Sequence, residues 1–198
     1  MKKFELTTEF ITNAFGKKLF RIKALVEFGD VKAGELGGYV EKEGNVSQAG
    51  NAWVYGNARV SGDARVSGNA WVYGNAWVYG NARVYGDARV YGDARVYGNA
   101  EVSGNAEVYG DARVCGNAWV YGNADYALVQ GFGTEFRCTT FYRGKNKKIM
   151  VNCGCFHGDL EGFRKQVKET RNGKIAKEYL MIADLMEYHF TSEDSSDE

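Results

Sequence analysis

The chain has 198 residues, 44% of them apolar, with 25 Lys and Arg against 25 Asp and Glu. A net charge of zero supplies no global basic field to draw nucleic acid, and no apolar run is long enough to span a bilayer. Met1-Lys2-Lys3-Phe4-Glu5 lacks the apolar stretch of a signal peptide, and four Cys without an export signal imply reduced thiols in a cytoplasm. With no Pro to stiffen a linker, one globular unit with capping segments is expected.

Residues 1–49 carry no repeat and read as an N-terminal cap. Lys18 to Leu25 sets Phe20, Ile22 and Ala24 against Leu19, Arg21 and Lys23, a strand with one buried face. Turns follow at Gly29-Asp30 and around Gly34, Gly37 and Gly38. Phe28 to Glu41 is read as a cover for an open sheet edge in preference to a ligand loop.

From Gly50 to Tyr121 a six-residue unit, Gly-[Asn/Asp]-Ala-x-Val-[Tyr/Ser/Cys], runs twelve times without a gap. A thirteenth copy starts at Gly122-Asn123-Ala124 and fails, because Tyr126 stands where Val should be. So short a period means a solenoid, here over residues 50–127. Ala and Val, two apart, point to one face of a short strand and x to the other. Gly with Asn or Asp turns the corner. Three units close a triangular coil of about 18 residues, and successive coils stack roughly 4.8 Å apart.

Position x then forms three outer columns: Trp53, Trp71, Arg89, Glu107; Arg59, Trp77, Arg95, Arg113; and Arg65, Arg83, Glu101, Trp119. Trp77 between Arg59 and Arg95 is a cation–π sandwich. Arg89 over Glu107 and Arg83 over Glu101 are opposite-charge neighbours. Tyr55, Tyr73, Tyr91 and Tyr109 form a further column, and corner Asn and Asp side chains stack as ladders. Twelve outward Trp and Tyr are too much apolar area to leave wet, so part of this surface is expected to be covered by a ligand or a subunit. The ligand or interface candidates are Trp53, Trp71, Trp77 and Trp119 with Arg59, Arg89, Arg95, Tyr73 and Tyr91.

Val54 followed four places later by Ala58, and every later pair, resembles the left-handed β-helix hexapeptide-repeat family. The Tyr or Ser after Val, and a Gly one place late, resemble a bacterial and phage subgroup described as "polymer-forming" or "putative transferase". Phe28 to Glu41 resembles the N-terminal segment of that subgroup. The resemblance implies a left-handed coil and a phage or prophage protein.

Residues 128–190 change character. Thr134–Tyr142 and Lys148–Cys153 read as a hairpin turning at Arg143 to Lys147. A helix capped by Asp159 buries Leu160, Phe163 and Val167 and stops at Asn172-Gly173. A second, about 175–190, buries Ile175, Tyr179, Ile182, Met186 and Phe190. Val151 to Gly158 with these helices resembles a module appended to phage repeat proteins. Residues 191–198 are acidic and read as a disordered tail.

The metal candidates are Cys153, Cys155 and His157, which alternate on a strand, with Cys138 opposite Cys153 in one hairpin register. Their spacing is not that of a zinc knuckle, so the reading taken is core thiols. Acyl transfer, which the family label implies, generally uses a His presented from a coil. Both His, His157 and His189, lie outside the coils.

The fold expected is a mainly β, left-handed parallel β-helix with an N-terminal cap and a small C-terminal α+β module. The function expected is a non-catalytic binding or assembly platform, homo-oligomeric as a trimer or dimer and needing no cofactor. Its sharpest form is a sponge for small nucleotide signals in counter-defence, in the host cytoplasm. Tryptophan, tyrosine and arginine suit a purine-plus-phosphate ligand, and they suit protein interfaces and plain ladder stacking too. An acyltransferase-like enzyme or relic, and a structural polymer, are the alternatives.

Overall fold

The computed structural model describes residues 2–14 and 16–191. Three strands lead: β1 (Phe4–Thr12), β2 (Lys18–Ala24) and β3 (Leu36–Val40). Twelve two-residue strands follow, one per repeat: β4 (Trp53–Val54), β5 (Arg59–Val60), β6 (Arg65–Val66), β7 (Trp71–Val72), β8 (Trp77–Val78), β9 (Arg83–Val84), β10 (Arg89–Val90), β11 (Arg95–Val96), β12 (Glu101–Val102), β13 (Glu107–Val108), β14 (Arg113–Val114) and β15 (Trp119–Val120). They make a parallel β-solenoid of about five turns. Its three faces are the sheets β4-β7-β10-β13, β6-β9-β12-β15 and β1-β2-β3-β5-β8-β11-β14.

Every Ala and Val of the twelve repeats is fully buried. Each buried Val contributes about 1.5–3 kcal/mol, and the narrow interior admits nothing larger in these positions. The repeat glycines sit at the corners with positive φ. At Gly68, φ is +68° and a Cβ would lie 3.0 Å from the backbone nitrogen of Gly86, so a side chain there would be strained and crowded.

Many of the coil's hydrogen bonds run from N–H groups of one turn to carbonyls of the next, as Arg59 N does to Ala76 O at 2.9 Å, and others close within a turn, as Ala58 N does onto Tyr55 O at 3.0 Å. The first coil leaves carbonyls such as those of Ala52 and Ala64, and the last N–H groups such as those of Glu107 and Arg113, to be met by the capping segments. At the N-terminal end, Tyr39 N donates to Ala58 O at 2.9 Å and Glu41 N to Val60 O at 3.0 Å. Ser47 N likewise donates to Val66 O at 2.8 Å, and other carbonyls meet side chains. Lys3 Nζ donates to Gly50 O and Ala52 O (3.2 and 2.9 Å), and Asn45 Nδ2 to Gly62 O and Ala64 O (3.1 and 2.8 Å). Gly37 and Gly38 let β3 lie flat on the coil, since a Cβ at either would come within 2.6 Å of a coil carbonyl oxygen.

The C-terminal module supplies both a donor and acceptors: Asn152 Nδ2 donates to Arg113 O at 2.9 Å. Glu107 N donates to Asn123 Oδ1 at 2.8 Å and Arg113 N to Thr140 Oγ1 at 3.0 Å. Tyr126, the residue that breaks the thirteenth repeat, is buried in the coil's own core. The module below is more than the hairpin expected from sequence. It is an antiparallel sheet of β16 (Tyr126–Phe132), β17 (Arg137–Arg143), β18 (Ile149–Cys153) and β19 (Phe156–Asp159), in that order. Helices α1 (Leu160–Thr170) and α2 (Gly173–Thr191) pack on it. Asp159 caps α1 by accepting from Gly162 N at 2.9 Å, and Tyr179, Ile182, Met186 and Phe190 of α2 are buried while Ile175 is half-buried. The expected acidic tail falls, past Thr191, outside the described residues. Among the described residues no helix is long and apolar enough to cross a membrane.

Candidate binding face of the coil

The strand registers set the three outer columns as the 18-residue period requires. Trp53, Trp71, Arg89 and Glu107 pair in sequence, as do Arg59, Trp77, Arg95 and Arg113, and Arg65, Arg83, Glu101 and Trp119. Asn51 donates to Asn69, Asn69 to Asp87, and Asn81 to Asn99 along the corners.

The columns differ in what covers them. Trp53 was expected outside and is fully buried: the N-terminal segment folds over it, with Phe4 and Phe28 edge-on at 5.9 and 5.3 Å. Its covering partner is the chain itself, so it drops out as a ligand or interface residue. Below it, Trp71 leans on Tyr55 at 5.2 Å and shares an open groove with Tyr73 and Arg89. Tyr73, Tyr91 and Tyr109 stack at 4.8 and 5.4 Å. The Tyr91 hydroxyl and Arg89 both reach Glu107, at 3.2 and 3.5 Å. Trp119, on the third face, is exposed. Above it Glu101 lies opposite Arg83, as expected, and also pairs with Lys145 at 2.8 Å.

The second face carries a deeper site that also gathers three candidates, Arg59, Trp77 and Arg95. Trp77 is sandwiched, with the Arg59 guanidinium 4.8 Å and the Arg95 guanidinium 5.5 Å from its ring centre. A cleft of about 350 Å³ opens beside it, walled by Arg59, Trp77, Tyr79 and Arg95 of the coil and by Lys17 and Leu19 of the N-terminal segment. Lys17 is neutralised by Glu41 at 2.8 Å, and Glu41 also accepts from Gly62 N at 2.7 Å. The Lys17 hydrogen bond, then that from Gly62, holds the Glu41 carboxyl below its usual range. Among the described residues neither Arg59 nor Arg95 has a carboxylate within ion-pair distance, so the cleft keeps two uncompensated positive charges. The Nε of Arg59 is buried without a hydrogen-bond partner. Burial pushes the Tyr79 phenol up, keeping it neutral.

The metal candidates are not brought together. Cys153 ends β18 and pairs with Phe156 across a turn made by Gly154 and Cys155, so Cys153, Cys155 and His157 do not share a strand. Thr139, not Cys138, lies opposite Cys153 and donates to its sulfur at 3.1 Å. His157 Nε2 is 3.1 Å from the Tyr142 hydroxyl, which in turn lies 3.5 Å from Cys115 Sγ. Among the described residues no three His, Cys, Asp or Glu are grouped as metal ligands.

Sequence reasoning missed Leu19, Lys17 and Tyr79. Tyr79 could have been found by writing out the sixth repeat position on every face, as was done for Tyr55 to Tyr109. The part played by Lys17 and Leu19 had no local signal, since it depends on where the β1–β2 turn lands.

The fold and the register define a parallel β-solenoid repeat protein. Its repeats are similar to the YdcK beta solenoid repeat, whose family model matches residues 52–68, 64–80, 76–92 and 82–104. No curated protein matches the chain.

Proposed function

We propose that the chain is a non-catalytic binding platform of phage or prophage type, a homo-oligomer in the cytoplasm that sequesters a small nucleotide-like anion. The observation that carries this reading is the cleft at Arg59, Trp77 and Arg95. It is of ligand size, mostly apolar, and holds two guanidiniums, while its one lining carboxylate, Glu41, is taken up by Lys17. A solenoid stabilised by interior Ala and Val gains little from such a site. Both ladder edges are occupied by side chains of the caps, which favours a discrete particle over an end-to-end polymer. Outward Met181, Leu185 and Tyr188, spaced along one stripe of α2, add apolar surface that a second subunit would cover.

The test is native mass spectrometry of protein purified from host cells, run beside sedimentation and melting, for wild type and Trp77→Ala. The expected result is a discrete oligomer carrying a small anion that Trp77→Ala loses while staying folded. Unchanged assembly and unchanged bound mass, with only a small drop in melting temperature, would make this column structural and remove the platform reading.

A further inference from the structure

Position six of the repeat also forms columns, and they are unequal. On the first face Tyr73, Tyr91 and Tyr109 stack, at 4.8 and 5.4 Å with ring planes within 3° and 16°. On the second face Tyr79 and Tyr97 stack at 4.9 Å with planes 1° apart. There the ladder ends. The pairing of Arg59 with Trp77 and Val60 with Val78 puts Ser61 one rung above Tyr79, and Ser61 N donates to Val78 O at 3.0 Å. Serine has no ring. The place where the next ring would lie opens into the cleft, which Ser61, Tyr79 and Leu19 all line. Trp77 cannot offer a ring face to a ligand, because the Arg59 and Arg95 guanidiniums cover both of its faces. Those two groups reach the same cleft and carry its uncompensated charge.

We propose that the cleft binds a flat heteroaromatic ring joined to an anionic group, a mononucleotide being the simplest case. The ring takes the rung that Ser61 leaves out and lies on Tyr79, and the anion lies against Arg59 and Arg95. This deepens the platform reading and rests on it. Stacking on a tyrosine adds on the order of ten- to a hundred-fold in affinity. The spacing is already set, because each rung of the coil repeats at the distance at which aromatic rings stack.

The structure also supplies a variant that blocks the site without attacking the fold. Ser61→Tyr installs the commonest residue of the repeat at this position and completes the ladder. Adenosine 5′-monophosphate, adenosine and inorganic phosphate are titrated by calorimetry into wild type, Ser61→Tyr, Tyr79→Ser and Arg95→Ala. Wild type should bind the monophosphate saturably, and bind adenosine and phosphate at least ten-fold more weakly. Ser61→Tyr should lose at least ten-fold in affinity for the monophosphate with an equal or higher melting temperature. Tyr79→Ser, which removes the ring beneath, should lose as much, so the result does not hang on one variant. Undiminished binding by both Ser61→Tyr and Tyr79→Ser overturns the vacant rung. If Arg95→Ala alone then loses binding, the platform reading survives with a different pose. Absence of monophosphate binding to wild type also overturns the rung, and the retained mass in native spectrometry decides the platform reading separately.

Discussion

The middle of the molecule and its two ends solve one problem in different ways. In the coil, backbone groups meet partners in the adjacent turns or in their own turn, and the sequence need only repeat. At the ends there is no next turn, and individual side chains stand in for it. Each end is met by both kinds of group, since Glu41 accepts from Gly62 N at the first and Asn152 donates to Arg113 O at the last. Lys3 and Asn45 bring donors to the carbonyls of the first coil, while Asn123 and Thr140 bring acceptors to the N–H groups of the last. The lesson is that the stability of the middle is spread over equivalent rungs, whereas that of each end is concentrated in a few residues with no substitutes.

The largest expected effect is in the middle, because its interior is dry. Val84→Asp places a charge in an interior of fully buried repeat Ala and Val side chains, and should cost several kcal/mol, on the order of 4 or more. Arg83→Asp, one residue earlier and exposed, should cost less than about 1 kcal/mol. Chemical denaturation of the two variants side by side checks this, and equal losses would sink the inside/outside assignment.

Next comes the N-terminal end. Asn45 is fully buried, and its amide nitrogen serves two carbonyls. Asn45→Asp keeps the shape but turns a donor into a negative acceptor facing those carbonyls. A loss of about 3 kcal/mol is expected. A melting curve that superimposes on wild type would mean that the first coil does not need this cap.

Lys3 adds a pH dependence. Burial lowers its pKa to about 8. Below that pH the lysine is charged in both folded and unfolded chains. Between about pH 8 and its ordinary value near 10.5 the folded state sheds the proton while the unfolded state keeps it. The unfolded chain then binds more protons, so stability rises with pH across this window. Measured against Lys3→Met, which cannot titrate, wild type should gain on the order of 2 kcal/mol from pH 7 to 10. A stability gap that stays flat over that range would show that the ammonium is not desolvated.

The same contrast explains what could be read from the sequence. The coil was legible down to which residue stacks on which: Trp77 between two arginines follows from counting by eighteen. Periodicity carries that information because each rung sees the same surroundings. Trp53 occupies the same position x and was misjudged. Its burial is decided by Phe4 and Phe28, whose placement comes from a segment with no period. Cys138 was set opposite Cys153 on the same weak footing. A hairpin register shifted by one residue changes every partner, and here Thr139 takes that place. The cleft lies at the boundary between these regimes. Its coil wall was foreseen in Arg59, Trp77 and Arg95, and its other wall, Lys17 and Leu19, was not.

The smallest expected effect tests whether the two ends are secured in the same way. At the C-terminal end Thr140 Oγ1 accepts from Arg113 N. Thr140→Val removes this acceptor with almost no change in shape. Unlike Asn45, Thr140 serves one coil group rather than two, and the bond is only partly buried, so water can replace some of what is lost. A neutral hydrogen bond of this kind is worth about 1 kcal/mol, and a fall of that size in unfolding free energy is expected. The module also buries Tyr126 and Tyr142 in the coil core, and this anchoring is apolar and untouched by the substitution. A loss near 3 kcal/mol would show that the lower end depends on single hydrogen bonds as the upper end does. A loss near 1 kcal/mol would show that hydrogen-bonding side chains secure the first coil, whereas packed rings secure the last.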